Sequence, residues 1–384
     1  MSSDSFDVAI IGAGIVGAAC AVECAQEKMK VLIIEAKEIG GGATAAGMGH
    51  LVVMDDSEAQ FALTDYSQRL WRHLSDEISG ESEYVECGTL WVAADDEEMA
   101  EVRRKEKFYT DRRVAVDVLD QKALEQAEPN LRKGLAGALR VPNDGVIYPP
   151  CAARFLIEKS QSLGAQVRHG RVKSMNDDGV ALSDGSTISS KIVVNAAGSW
   201  SPELTPGIDV QKRKGHLAIT DRYPGFVRHQ LVELGYLKSA HSLTSDSVAF
   251  NVQPRQTGQL LIGSSRQYSV DDPKIDHAML VKMLNRAIEY MPDIARLSTI
   301  RTWTGFRAAT PDKLPLIGPH PDKKNLWLAT GHEGLGITTS LATGRLLVDQ
   351  IMNRKSEIPI EPYLPCRGRA RPCPDRAKHD EDFR

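Results

Sequence analysis

The sequence predicts a mixed α/β protein in which a strand–turn–helix unit at the start of the chain is followed by strands of alternating polarity. The first observation is the segment 8–36, where two short apolar runs enclose a glycine-rich turn and a helical stretch. The second is the alternation of apolar and polar residues between 215 and 265, which is typical of strands that bury one face. The third is length, since 384 residues are enough for two domains.

The glycine-rich turn indicates a dinucleotide ligand. In such a strand–turn–helix unit Gly12 permits the tight turn, Gly14 lets the backbone approach a pyrophosphate, and Gly17 lets the helix pack closely on the sheet. The N-terminus of the helix then points free N–H groups at the phosphates. Glu35 ends the second apolar run at the spacing of a ribose-binding acid, which disfavours an NADP-type 2′-phosphate. The alternative is a glycine-rich packing turn without a ligand.

The overall composition argues against polyanionic partners. The net charge of −4 gives no electrostatic reason to propose nucleic acid or an anionic membrane surface. The apolar stretch 8–22 is too short and too rich in glycine to span a bilayer, and Asp4 and Asp7 precede it where a secretory signal would be basic. We therefore expect a cytoplasmic protein, with peripheral attachment to the inner face of the membrane left open.

The cysteines predict reduced thiols and no metal site. Six cysteines are scattered along the chain without a C-x-x-C pair, which favours free thiols over a metal or a disulfide. Two of them, Cys366 and Cys373, belong to a tail (365–384) that is rich in Pro, Arg and Asp and that we expect to be exposed or disordered.

Further motifs follow along the chain. Residues 57–78 and 275–291 have helical periodicity, and residues 88–94 are typical of a strand. There is no second G-x-G-x-x-G with a following acid, which argues against a separate domain for a nicotinamide nucleotide.

Five blocks in order carry a resemblance to a known family. They are the N-terminal glycine motif, "GGGATAAGMGH" (40–50), "VVNAAGSW" (193–200), "WTGFRAATPDKLPLIG" (303–318) and "GHEGLGITTSLATG" (331–344). Together they resemble the FAD-dependent D-amino-acid oxidase superfamily over about residues 5–353. Within it, the chain is most similar to the branch of glycine oxidase, sarcosine oxidase and the D-hydroxyproline or cyanide-forming glycine dehydrogenases.

The resemblance implies a fold and a cofactor. It implies a discontinuous Rossmann-like FAD-binding domain (1–82, 146–212 and 302–364), an antiparallel substrate domain (83–145 and 213–301) and the tail as a separate segment, with the active site at the domain interface. The implied FAD-binding residues are Gly12, Ala13, Gly14, Ile15, Val16, Gly17, Glu35, Ala36, Ala43, Thr44, Ala46, Gly47, Met48, Val172, Ala197, Gly198, His332, Glu333, Gly334, Leu335, Gly336, Ile337 and Thr338. Simple tight packing is the alternative for the small residues. No cysteine lies in the late flavin-facing blocks, so we expect noncovalent FAD, although His50 keeps covalent attachment open.

The most specific prediction for a single residue concerns Arg307. It matches the family arginine whose planar guanidinium pairs with a substrate carboxylate. A surface arginine is the alternative, and the apolar surroundings of Trp303, Phe306, Pro311 and Pro315 argue against it.

Three departures from the branch bear on the substrate. Asn251 stands where the branch has a tyrosine, Gly334 with Glu333 before it stands where the branch has an arginine, and His50 stands where a small residue is expected. These changes predict a D-proline or hydroxy-D-proline type of imino acid, with His50, Asn251 or Glu333 as polar partners of its substituent. For His50, a hydrogen bond away from the pocket is an equal alternative.

The predicted reaction is hydride transfer from the substrate Cα to FAD without a dedicated side-chain base. The alternatives are a glycine, sarcosine or general D-amino-acid oxidase, a nicotinamide-dependent dehydrogenase, or a flavin subunit of a larger complex. The electron acceptor (oxygen or a membrane quinone) and the assembly (homo-oligomer or partner subunit) stay open.

Overall fold

The computed structural model describes residues 5–235 and 246–367. The helices within these ranges are α1 (Ile15–Gln26), α2 (Gly42–Ala46), α3 (Glu58–Leu74), α4 (Asp96–Asp111), α5 (Gln121–Ala127), α6 (Pro149–Ser162), α7 (Ser201–Leu204), α8 (His277–Tyr290) and α9 (Gly336–Ile351). The strands are β1 (Ser5–Ile11), β2 (Val31–Glu35), β3 (His50–Leu51), β4 (Thr89–Ala93), β5 (Asp117–Asp120), β6 (Gly137–Val141), β7 (Gly145–Val146), β8 (Gln166–His169), β9 (Val172–Asn176), β10 (Gly179–Leu182), β11 (Thr187–Asn195), β12 (Gln211–Arg222), β13 (Gln230–Glu233), β14 (Ser247–Pro254), β15 (Gln259–Arg266), β16 (Thr299–Ala309), β17 (Leu316–Pro319), β18 (Leu326–Thr330) and β19 (His332–Glu333).

The first sheet is the parallel sheet that the glycine motif predicts. Its main path has the order β17-β18-β11-β1-β2-β8, in which every pair except β17–β18 is parallel. Helix α1 follows β1 and buries Ala18, Ala19 and Cys20 completely. Helix α9 packs against it so closely that a Cβ on Gly344 would lie 2.8 Å from the carbonyl oxygen of Ala19. These contacts fix the N-terminus of α1 at the end of β1.

The second sheet is the predicted sheet of mostly antiparallel strands. Its order is β19-β16-β12-β15-β14-β13-β4-β6-β5, and β13 with β4 is the parallel pair. The long ladder between β12 and β16 runs from Gln211 opposite Ala309 to Thr220 opposite Thr299. The predicted domain boundaries at 212 and 302 fall inside these two strands, and the division into domains stays a prediction.

Small residues bring the glycine-rich segment 40–50 onto the second sheet. A Cβ on Gly305 of β16 would lie 2.3 Å from the Cβ of Ala46, and a Cβ on Gly263 of β15 would lie 2.9 Å from the sulfur of Met48. Because Gly305 has no room for a side chain, the backbone at Ala46 approaches the sheet closely, while at Gly263 the contact is made by the side chain of Met48. This contact places the end of α2 and the start of β3 beside the strands that carry Arg307 and Asn251.

A buried ionic cluster joins the segment after β3 to α4. The side chains of Asp55 and Lys105 are 1% and 0% exposed and form an ion pair, and Arg104 Nη2 lies 2.6 Å from the other carboxylate oxygen of Asp55. Burial raises the pKa of Asp55, but Lys105 and Arg104 lower it by more than burial raises it. The net pKa of Asp55 therefore lies below the ordinary value. The carboxylate is therefore ionised inside an apolar cluster.

Replacing Lys105 with methionine is expected to lower the free energy of unfolding by about 3 kcal/mol, because it leaves a buried carboxylate with Arg104 as its remaining cation. Chemical denaturation measures the change. Lys107→Met is the matched control, because Lys107 is on the same helix and its side chain is 78% exposed, and it should change stability by less than about 1 kcal/mol. Equal effects of the two substitutions would contradict the role of the buried pair.

The cysteine prediction holds for four residues and is wrong for one. Cys20 and Cys24 are buried free thiols, and Cys87 and Cys151 are also free. Cys366 is disulfide-bonded, which corrects the expectation of a reduced thiol there. The scattered spacing gave no sign of it, since a disulfide depends on distances in the fold. Cys373 and the tail from 368 lie outside the described residues, where the expectation of disorder is not tested.

In the part of the chain that is described, none of the helices has both the length and the apolar character to cross a membrane.

Candidate active site

A cavity of about 380 Å³ is lined by residues of both sheets. The predicted cofactor residues that line it are Gly12, Gly14, Ile15, Val16, Glu35, Ala36, Ala43, Thr44, Ala46, Gly47, Met48, Val172, Ala197, Gly198, His332, Glu333, Gly334, Gly336 and Ile337, and the predicted catalytic residues His50, Asn251 and Arg307 line it as well. Ala13, Gly17, Leu335 and Thr338 do not. The structure therefore brings almost the whole predicted set together around one space.

The glycine turn has the geometry of a phosphate cradle. Gly12 has a φ of +105° and a Cβ there would lie 2.7 Å from the carbonyl oxygen of Ala196. Gly17 packs on the turn instead of lining the cavity, because its Cβ would lie 2.0 Å from the carbonyl oxygen of Gly12. An added Cβ at Gly14 would have one protein atom within 4 Å, Thr44 Oγ1 at 3.2 Å, and Gly14 itself lines the cavity. Helix α1 begins directly after Gly14, so the N–H groups of its first turn other than that of Ile15, which Thr44 binds, have no partner within the helix and are available to a phosphate.

Glu35 organises the turn as well as lining the cavity. Its Oε2 accepts a hydrogen bond from the N–H of Ala13 at 2.7 Å, and its Oε1 accepts one from the N–H of Lys37 at 2.8 Å. Ala13 is thus held through its backbone against the carboxylate, which explains why it does not line the cavity. Thr44 plays a similar part, since its Oγ1 accepts a hydrogen bond from the N–H of Ile15 at 3.0 Å.

His50 is a neutral imidazole at the edge of the cavity. Burial lowers the pKa of His50 to about 4, because it outweighs an interaction with the side chain of Gln253 that raises the pKa, and the nearby positive charge of Arg307 adds to the lowering. Its Nε2 is buried without a hydrogen-bond partner, while its backbone carbonyl accepts a hydrogen bond from Thr338 Oγ1 at 2.8 Å. Thr338 therefore positions His50 through its backbone carbonyl and does not itself line the cavity.

Arg307 lies on β16 with its guanidinium directed into the cavity. Its Nη1 donates a hydrogen bond to the carbonyl oxygen of Ser265 at 3.0 Å. A Cβ on Gly215 of the neighbouring strand would lie 2.5 Å from the same Nη1, and one on Gly334 would lie 3.8 Å from Nε. Two glycines thus flank a guanidinium that is tied at one nitrogen, and its remaining N–H groups are available to an anion.

Two acceptors lie near Arg307 in the same cavity. Asn251 is 7% exposed and its Oδ1 has no hydrogen-bond partner. Glu333 has a side chain that is 8% exposed, and its Oε1 lies 3.0 Å from Arg213 Nη1. Burial raises the pKa of Glu333, but the guanidinium groups of Arg266, Arg307 and Arg213 lower it by more than burial raises it. The net pKa of Glu333 therefore lies below the ordinary value. The site therefore offers a fixed cation, an ionised carboxylate and a neutral amide.

Comparison with known proteins identifies the family. Residues 7–350 match the family described as DAO, FAD dependent oxidoreductase. The chain belongs to this family.

Similar proteins agree with that assignment. Glycine oxidase from Geobacillus kaustophilus is 28% identical over a gapped alignment of 374 positions, which covers 93% of this chain and 96% of the relative. The hydrogen cyanide synthase subunit HcnC from Pseudomonas protegens is 26% identical over a gapped alignment of 417 positions, which covers 94% of this chain and 95% of the relative. The crystal structure of the Geobacillus kaustophilus glycine oxidase is similar with a TM-score of 0.86 and 26% identity, over 94% of this chain and 99% of the solved chain.

The residues of this DAO-family chain fit FAD, the cofactor of the family. The turn at Gly12 and Gly14 with the N-terminus of α1 suits a pyrophosphate, and Glu35 has the position of a ribose-binding acid. Sequence reasoning missed Arg213 and Arg266, which act on Glu333 from two other strands. The signal for Arg213 is its register opposite Arg307, which is visible only once β12 and β16 are paired.

Proposed function

We propose that this chain oxidises the C–N bond of a small amino or imino acid, with Arg307 as the anchor of the substrate carboxylate. The observation that carries the proposal is the guanidinium of Arg307, which is tied to Ser265 at one nitrogen and open to the cavity at the others. Such a planar group pairs well with a carboxylate. When bound, FAD supplies the acceptor for the hydride of the substrate Cα–H.

The protein's own contribution is positioning. Arg307 fixes one end of the substrate, and the walls built by Gly215, Gly305 and Phe306 limit how the rest can lie. The substrate nitrogen must be neutral when the hydride leaves, and no side chain is assigned as its base. No cysteine lines the cavity among the described residues, which supports noncovalent binding of FAD.

For the substrate we propose an imino acid of the D-proline or hydroxy-D-proline type. The support is the pair of buried groups without partners, Asn251 Oδ1 and His50 Nε2, which line the cavity with Arg307. Both can bind a polar ring substituent. The second candidate is glycine, sarcosine or a general D-amino acid, which the names of the glycine oxidase relatives favour.

The proposal leaves two alternatives for the electron acceptor and two for the assembly of the chain. The reduced cofactor is reoxidised by oxygen or by a quinone. The chain works as a homo-oligomer or with a partner subunit, and the latter is supported by a relative that is itself named as a subunit.

Anaerobic bleaching of the flavin absorbance band tests the proposal. The panel is cis-4-hydroxy-D-proline, D-proline, sarcosine, glycine and D-alanine, each added to the purified FAD-bound protein. Rapid bleaching by the proline compounds is the expected result. Bleaching by glycine, sarcosine or D-alanine alone would establish the second candidate, and the absence of bleaching by all five would contradict the proposed function.

A further inference from the structure

Glu333 has an unusual combination of backbone and side-chain features. It is a non-glycine residue with a φ of +52°, in the left-handed region, and it lies in the short strand β19 opposite Ala308, the neighbour of Arg307. Such conformations are strained for a residue with a side chain, and they cluster at functional sites. Its side chain is only 8% exposed, yet it lines the cavity.

One oxygen of this carboxylate is held and the other is not. Oε1 lies 3.0 Å from Arg213 Nη1 and 3.6 Å from Arg266 Nε. Arg213 in turn lies over the ring of Tyr268, with its Cζ 4.8 Å from the ring centroid. Oε2 is buried without a hydrogen-bond partner. Arg213 and Arg266 do not line the cavity, so a ligand meets Glu333 first and finds the two arginines behind it.

An ionised carboxylate only accepts hydrogen bonds, so the group of the ligand that meets Oε2 must be a donor. A Cβ on Gly334, the next residue, would lie 3.8 Å from Arg307 Nε, and Arg307 is one of the cations whose charge acts on Glu333. A ligand whose carboxylate is bound by Arg307 therefore has its adjacent atoms near Glu333. In an amino or imino acid the donor nearest to the carboxylate is the nitrogen, which is protonated in the free substrate. A charged acceptor suits this ammonium better than the neutral amide of Asn251 does.

We infer that Glu333 binds the substrate's ammonium group and that Arg213 and Arg266 are positioning residues that hold its carboxylate. The inference rests on the proposed function, because it takes the carboxylate at Arg307 as its starting point. Asn251 and His50 are then left for the ring substituent.

A pair of unreactive ligands tests the inference on the FAD-bound protein by calorimetry. 2-Methyl-D-proline has the carboxylate and the ammonium but no Cα–H, and 2-methyltetrahydrofuran-2-carboxylate has a ring oxygen in place of the nitrogen. In Glu333→Gln, affinity for the first ligand should fall about 10- to 100-fold, and affinity for the second should change less than about threefold. Glu233→Gln is the matched control, because Glu233 is a buried carboxylate that pairs with Arg286 and does not line the cavity.

The outcomes separate this inference from the proposed function. If Glu333→Gln weakens both ligands equally, or neither, the role of Glu333 is overturned while the function stands. If the wild-type protein binds neither ligand, the proline-type substrate is overturned and the role of Glu333 falls with it, whereas the bleaching panel decides the oxidation itself. Should Glu333→Gln not fold, Glu333→Asp keeps the charge and must retain a preference for the ammonium ligand.

The pH dependence of binding tests the positioning role. The charged side chains that face Glu333 are Arg213 on β12, Arg266 on β15 and Arg307 on β16, and the adjacent His332 stays neutral because burial lowers its pKa to about 3. Since the pKa of Glu333 is lowered, the preference for the ammonium ligand should be present at neutral pH and be lost as pH falls through that pKa. Arg213→Met should move this loss upward by about one pH unit. An unchanged midpoint would overturn the positioning role of Arg213.

Discussion

Replacing Arg307 with methionine should lower kcat/KM for the amino or imino acid substrate by about 10²- to 10³-fold. Methionine keeps most of the volume on β16 but removes the charge and the planar donors that pair with a carboxylate. Arg307→Lys should recover only part of the loss, because an ammonium keeps the charge without the two parallel donors. Steady-state kinetics with the best substrate of the bleaching panel measure the effect.

Arg301→Met is the control for Arg307. Arg301 is exposed on the same strand, with its guanidinium over the ring of Trp303 and outside the main cavity. Its loss should change kcat/KM by less than about threefold, as expected for an exposed side chain away from the site. Similar losses in the two variants, or a full recovery in Arg307→Lys, would rule out specific carboxylate binding by Arg307.

Gly14→Val should weaken FAD binding by about 10²-fold while the protein still folds. The backbone of Gly14 is extended, with φ −67° and ψ 174°, so a side chain is conformationally acceptable there. Its nearest protein neighbour is Thr44 Oγ1, and the rest of the new side chain enters the cavity where the pyrophosphate approaches. Overfilling such a space by two or three carbons costs about 3 kcal/mol. Titration of the apoprotein with FAD, followed by fluorescence, measures the dissociation constant.

Gly17→Ala is the contrasting variant. Its Cβ would lie 2.0 Å from the carbonyl oxygen of Gly12, so the turn itself must shift and the folded protein should be destabilised. Thermal unfolding of both apoproteins separates the two cases: Gly14→Val should unfold near the wild-type temperature and Gly17→Ala well below it. If Gly14→Val bound FAD with wild-type affinity, the role of Gly14 in admitting the pyrophosphate would be refuted.

Local patterns carried the sequence predictions that the structure confirms. The parallel sheet around α1 follows from glycines and apolar runs within thirty residues, and the helix predicted over 57–78 is present as Glu58–Leu74, capped by Ser57. What could not be predicted depends on distant pairing. The contact of Arg213 with Glu333 spans 120 residues and requires the register of β12 and β16. The left-handed backbone of Glu333 was also hidden, because glycine is the usual sign of that conformation.

The close contact of Gly305 with Ala46 and of Gly263 with Met48 limits how this protein can change its specificity. A larger residue at Gly305 would push the cofactor segment away from the second sheet, because its Cβ would lie 2.3 Å from the Cβ of Ala46, whereas one at Gly263 would first displace the side chain of Met48. New substrates must therefore be accommodated by cavity-lining side chains, such as those at positions 50, 251 and 333, while the contact between Gly305 and Ala46 stays fixed. Random mutagenesis selected for a new substrate should recover changes at such lining positions and none at Gly305.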